Sequence, residues 1–165
     1  MIPTERGTLL LDLVQEFQGR NLWFGETVAQ EVLFLCQALG GPEHYRFRWD
    51  GWMPTCSDVI DDVNALRARR DLQFEPFDGV RGPTLHVRNL GAGSELAAQL
   101  ADLYERWPYE PKLSLAAAVY LNRRREPKEF DRQITFQFPG LDPDRLRAEI
   151  ARLPMLRGSQ ELQPV

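Results

Sequence analysis

Cysteine and histidine are scarce in this chain, two of each, and that scarcity removes several chemistries together. A zinc site would need Cys36, Cys56, His44 and His86 at once, and their spacings match no finger or ribbon. A catalytic histidine would have to be oriented by a carboxylate and face a nucleophile, and no serine or cysteine has a nucleophile-elbow context. His44 and His86 therefore read as ordinary surface or partly buried residues. Both cysteines fall on the apolar side of an expected helix and read as small buried hydrophobes, with nothing to suggest an oxidising compartment. No metal, no cofactor and no enzymatic activity are expected.

Long hydrophobic runs are lacking as well. The longest is far too short to span a bilayer. No N-terminal segment has the charged, apolar and small-residue order of a signal peptide. The expectations are no membrane contact and a cytoplasmic location. Excess positive charge is also absent: the net charge is −4. This weighs against a basic footprint for nucleic acid over the whole domain, though not against a local basic patch. Internal repeats, low-complexity tracts and linkers are missing too. What remains is an ordinary composition, 43% hydrophobic and 27% charged over 165 residues. That is enough chain for one compact domain with a core that needs no staples.

The most informative stretch is residues 44 to 89. Tyr45, Phe47 and Trp49 alternate with Arg46 and Arg48, the period of a half-buried strand with its aromatics inward. Gly51 and Pro54 mark a turn. Thr55 and Asp58 look like the start of a helix whose buried stripe is Cys56, Val59, Ile60, Val63 and Leu66, with Arg67, Arg69 and Arg70 at its C-terminal end. Asp58, Asp61 and Asp62 are placed on the outer face of that helix, as a solvated cluster. Leu72, Phe74 and Phe77 then face one way and pair with Leu85 and Val87 across a turn at Asp78-Gly79 and Gly82-Pro83. Pro76 favours an edge position or a bulge.

Helices are expected before and after this stretch. Leu10, Leu13, Val14 and Phe17 define one over residues 8 to 18, stopped at Gly19. Val28, Val32, Leu35 and Leu39 define a second over 26 to 39, stopped by Gly40-Gly41-Pro42 and apolar enough to be buried on more than one side. Ser94 caps a third over 94 to 107, and Gly91-Ala92-Gly93 before it reads as a turn and cap rather than a phosphate cradle, because Leu96 stands where a third glycine is needed. A small-residue helix follows over 112 to 124. Ile134, Phe136 and Phe138 alternate and predict a strand over 130 to 138. Asp142-Pro143 opens a last helix with Leu146, Ile150 and Leu153 inward.

Two helices, a strand, a helix and a hairpin are the order of a winged helix-turn-helix. The expected fold is mostly α with a small antiparallel sheet: a winged-helix-like core over residues 1–90 and a helical extension over 91–165 packed on it. In a DNA-binding version the helix at 55 to 70 would enter the major groove, where three aspartates repel phosphates. Arg46, Arg48, Arg67, Arg69, Arg70, Arg81 and Arg88 suit phosphates or the carboxylates of a protein partner, with scattered solvated arginines paired to nearby acids as the commonest alternative. Trp52, in a turn between Gly51 and Met53, is placed as an exposed contact anchor.

The segments EVLFLCQAL, YRFRWDGWMPTCSDVIDDVNALRARRDL and LSLAAAVYL resemble those of the Panacea domain (SocA-like antitoxin) family and its YwgA-type relatives. The likeness covers residues 29 to 121, with Gly51-Trp52-Met53-Pro54 in place of the family's Tyr-Gly-Pro order. It implies a helical domain with a winged-helix core that acts through protein contacts, as toxin neutraliser or adaptor, with no catalytic residue to carry over. The expected contact residues are Arg46, Arg48, Trp52, Met53, Arg81 and Arg88. The expected partner is a protein, with duplex DNA as the alternative for a transcriptional regulator.

Overall fold

The computed structural model describes residues 2–156 except 52, 80, 110, 111, 113 and 123–126. Trp52 thus lies outside the described residues. The fold is mostly helical with two small antiparallel hairpins, in the order α1 (Thr4–Gly19), α2 (Glu26–Ala38), β1 (Arg48–Asp50), β2 (Met53–Thr55), α3 (Ser57–Ala68), β3 (Leu72–Glu75), β4 (Thr84–Val87), α4 (Glu95–Arg106), α5 (Ser114–Asn122), α6 (Pro127–Gln137) and α7 (Pro143–Ala151). The expected class, mostly α with small antiparallel strand pairs, is met.

The first three helices stop by one device, in which the chain turns left-handed just past the helix and the next amide reaches back to the last turn. In α1 the turning residue is Asn21 (φ 54°), and Leu22 N–H donates to Phe17 O at 2.9 Å. Helix α1 ends at Gly19, as expected, and the left-handed turn follows two residues on at Asn21, which tolerates that region. In α2 it is Gly40 (φ 96°), with Gly41 N–H donating to Cys36 O at 2.7 Å. In α3 it is Arg70 (φ 64°), with Asp71 N–H donating to Leu66 O at 2.9 Å. Helix α1 also begins four residues earlier than its apolar pattern implies, with Glu5 in its first turn and Arg6 tied to α3.

One hydrophobic cluster joins α1, α2, α3, the β3–β4 hairpin and α4 through Leu10, Phe17, Val32, Val63, Leu85 and Leu100. A second joins α5, α6 and α7 to the back of α2 through Leu35, Ala117, Phe130, Ile134 and Leu146. Helix α2 serves both clusters, which explains why it is apolar almost all round. Arg20 ties α1 to α4 by donating to Asp102 (2.6 Å) and Glu105 (3.1 Å), while also pairing with Glu16.

Several sequence expectations need correction. The strand expected at 130–138 is helix α6 instead. Phe130, Ile134 and Phe138 are four residues apart, so they share one buried helical face, and Phe136 points outward, 84% exposed. Thr55 is not a helix cap; it ends β2, and Cys56 holds the cap position. The single strand expected at 45–49 is a tight hairpin, with Arg48 opposite Thr55 and Asp50 opposite Met53. Phe74 shares the face of Leu72 but is 42% exposed, with the Arg67 guanidinium 4.3 Å from the centre of its ring. Asp62 is buried, not solvated.

Candidate functional site

The β1–β2 hairpin is held from behind by rings. Trp49 stacks on Tyr120 with centroids 4.0 Å apart and planes 6° apart, and it also meets Phe34 at 5.5 Å. Phe47 packs edge-on against Phe34 at 5.9 Å. The Gln37 amide holds the chain just before the strand: it donates to Tyr45 O and accepts from Tyr45 N–H, both at 2.9 Å. With Tyr45, Phe47 and Trp49 fixed inward, strand geometry turns Arg46, Arg48 and Asp50 outward, and all three are exposed.

The same segment is anchored to α1 and α3 by a buried polar knot. Arg6 donates to both oxygens of Asp62, at 2.9 and 2.8 Å, and Tyr45 Oη–H donates to Asp62 Oδ2 at 2.7 Å. Arg6 also lies over the Tyr45 ring, 4.8 Å from its centroid. The hydrogen bond to Asp62 raises the Arg6 pKa, and burial raises that of Tyr45. Both shifts fix the charge states that the knot needs at neutral pH.

Between the outward face of β1 and the start of α3 lies a cavity of about 560 Å³, lined by residues that include Arg46, Arg48, Asp50, Thr55, Ser57 and Asp58. Its floor is built, not accidental: buried Gln30 accepts a hydrogen bond from Cys56 N–H at 2.6 Å and so fixes where α3 begins. Six arginines elsewhere are paired with carboxylates of this chain: Arg6, Arg20, Arg69, Arg132, Arg147 and Arg152. Arg46 and Arg48 have no such partner among the described residues.

The expected contact residues do not form one patch. Arg46 and Arg48 line the cavity, and Met53 is half-buried in β2 opposite Asp50. Arg81 sits near the tip of the other hairpin, with its guanidinium 5.2 Å from the centre of the Trp23 ring. Arg88 is exposed just past β4, where its backbone N–H donates to Asp71 O at 3.1 Å. The Gly91–Gly93 turn is held by the Gln15 side chain, which accepts from Gly91 N–H (2.7 Å) and donates to Gly91 O (2.9 Å).

Sequence reasoning passed over Glu31. It is 3% exposed on α2. Burial pushes its carboxyl up to about 8, against the opposing pull of Arg81. Burial likewise pushes the Cys36 thiol up to about 12, which keeps it inert. Among the described residues no group of three or more His, Cys, Asp or Glu side chains is placed to hold a metal, and no helix is long and apolar enough to cross a membrane. No family model matches the chain, and no curated protein or solved structure matches it either.

Proposed function

We propose that this protein is a non-enzymatic interaction module of the cytoplasm, antitoxin- or adaptor-like, that docks a protein partner on the outward face of the β1–β2 hairpin. The observation that carries this reading is the two guanidiniums of Arg48 in β1 and Arg46 just before it, which pair with no carboxylate among the described residues and sit on a segment held from behind. An exposed arginine on a fixed backbone loses less freedom on binding than one on a loop, and its planar fork recognises carboxylates bidentately. Met53, beside them in β2, adds an apolar contact, and Trp52 completes the turn in sequence.

A winged-helix DNA regulator is the other reading of the same element order, with β3–β4 following α3 as the wing. It is less favoured. Asp58 and Asp61 are exposed on the helix that would enter the major groove, and α2 and α3 are separated by the whole β1–β2 hairpin rather than by a tight turn.

The two readings separate in one experiment. The tagged chain and its Arg46→Glu/Arg48→Glu variant are used to capture partners from the native host, and both are titrated with duplex DNA at rising salt. The docking reading expects a discrete protein retained by the wild type and lost by the variant. Tight duplex binding that weakens steeply with salt, with no protein dependent on the two arginines, would refute it.

A further inference from the structure

Among the described residues strand β1 pairs only with β2. The β2 backbone lies against α2 and α5, whereas β1 reaches the same helices through the Trp49 ring, which leaves the far backbone edge of β1 without a strand. Pro54 decides which backbone groups face outward. Proline has no N–H, so the Trp49–Pro54 pair cannot exchange ladder hydrogen bonds; the bonded pairs are Arg48–Thr55 and Asp50–Met53. The N–H and C=O of Trp49 therefore point away from β2, and no group among the described residues takes them. The alternation of covered and exposed side chains runs back through Phe47, just before β1. An open edge of this kind is a template for another strand.

The side chains beside that edge carry a readable order. Arg46, Arg48 and Asp50 share one face, giving positive, positive, negative at successive outward positions. A strand laid along β1 puts every second side chain on the same face and opposite these three. The cavity beyond them ends on the first turn of α3, whose cap residue makes no side-chain capping bond. Its partial positive charge adds to the preference for carboxylates, and Asp58 moderates it.

We propose that β1 accepts an extended segment of the protein partner as a third strand, with acidic residues opposite Arg46 and Arg48 and a basic residue opposite Asp50. This rests on the docking reading above and supplies its chemistry: main-chain hydrogen bonds to Trp49 give affinity, and the charge order gives register.

The test uses the full chain and two labelled peptides, one reading glutamate, valine, glutamate, valine, lysine and the other its reverse, so that both strand directions are sampled. Binding is read by fluorescence anisotropy. One of the two is expected to bind, and the peptide with glutamates and lysines exchanged is expected to bind at least about tenfold more weakly, since attraction becomes repulsion at each pair. Methylating the peptide amide that meets Trp49 should abolish binding. The Arg46→Glu/Arg48→Glu/Asp50→Lys variant should prefer the charge-exchanged peptide. Failure of both peptides, equal binding by the methylated peptide, or an unchanged preference in the variant overturns strand addition. If partner capture still depends on Arg46 and Arg48 while the peptides fail, the docking face stands and strand addition falls. If capture ignores both arginines, the docking face itself is wrong.

Discussion

Replacing Glu31 with glutamine should make the protein more stable at neutral pH and remove much of the dependence of its stability on pH. Glu31 is buried, and desolvation pushes its carboxyl from 4.5 up to about 8 against the pull of Arg81. At pH 7 the folded chain therefore keeps this proton while the unfolded chain has released it. The sign follows: the folded state binds more protons at this site between the two values, so the contribution of Glu31 to stability is greatest below about pH 4.5 and falls as pH rises towards 8. Each unit of separation is worth about 1.4 kcal/mol, so the 2.5 units from 4.5 to 7 correspond to roughly 3 kcal/mol at neutral pH as a ceiling. Glutamine keeps the shape and has no proton to lose. With a urea dependence of about 2 kcal/mol per molar, the unfolding midpoint of Glu31→Gln should lie up to about 1.5 M above the wild type at pH 7 and close to it at pH 4.5. Urea titrations of both proteins between pH 4.5 and 9, followed by circular dichroism, check this. Parallel curves over the whole range, or a variant less stable than the wild type at pH 8, would refute the placement of Glu31 as a buried acid held above its ordinary range.

Three further outcomes follow from the fold. Asp62→Ala leaves the Arg6 guanidinium and the Tyr45 hydroxyl without their acceptor and should cost about 3–5 kcal/mol in chemical denaturation; a loss below about 1 kcal/mol would mean that the knot is not formed. Gly41→Ala should cost about 1–3 kcal/mol, because a Cβ there would meet Cys36 Sγ at 2.5 Å and Cys36 O at 2.7 Å, and the backbone oxygen cannot swing away. Arg70→Gly should raise the melting temperature slightly, by up to about 1 kcal/mol of stability, since glycine relieves the left-handed turn at φ 64°; a loss would show that the arginine side chain matters more than its backbone.

What could be read from the sequence follows the range over which each signal acts. Caps are local, and two of them were legible: Ser94 Oγ accepts from Ala97 N–H at 3.1 Å, and Asp142 accepts from Asp144 N–H at 3.0 Å with Pro143 opening α7. The inward rings and outward arginines of residues 45–49 were legible too, because strand alternation needs no knowledge of the partner. Asp62 was not, since its partner Arg6 lies 56 residues away, and three aspartates on one helix look solvated until one of them is claimed. Helix α6 was hidden because Phe130, Ile134 and Phe138 satisfy both a spacing of four and a spacing of two, and Phe136 tipped the reading to strand. Glu31 and Gln30 did leave a trace: two adjacent polar residues in a helix otherwise apolar nearly all round require either a buried partner or a shifted pKa. Gln30 has the first, in Cys56 N–H, and Glu31 has the second. The open edge of β1 could not be read, because it depends on which strand packs inward.

The docking face can be tested most directly by placing a photo-crosslinking residue at position 48 in the native host, with Thr135, exposed on α6, as the control position. Irradiation is expected to give one discrete protein adduct from position 48 and none from position 135. The same adducts from both positions, or nucleic acid alone captured at position 48, would contradict a protein-docking hairpin.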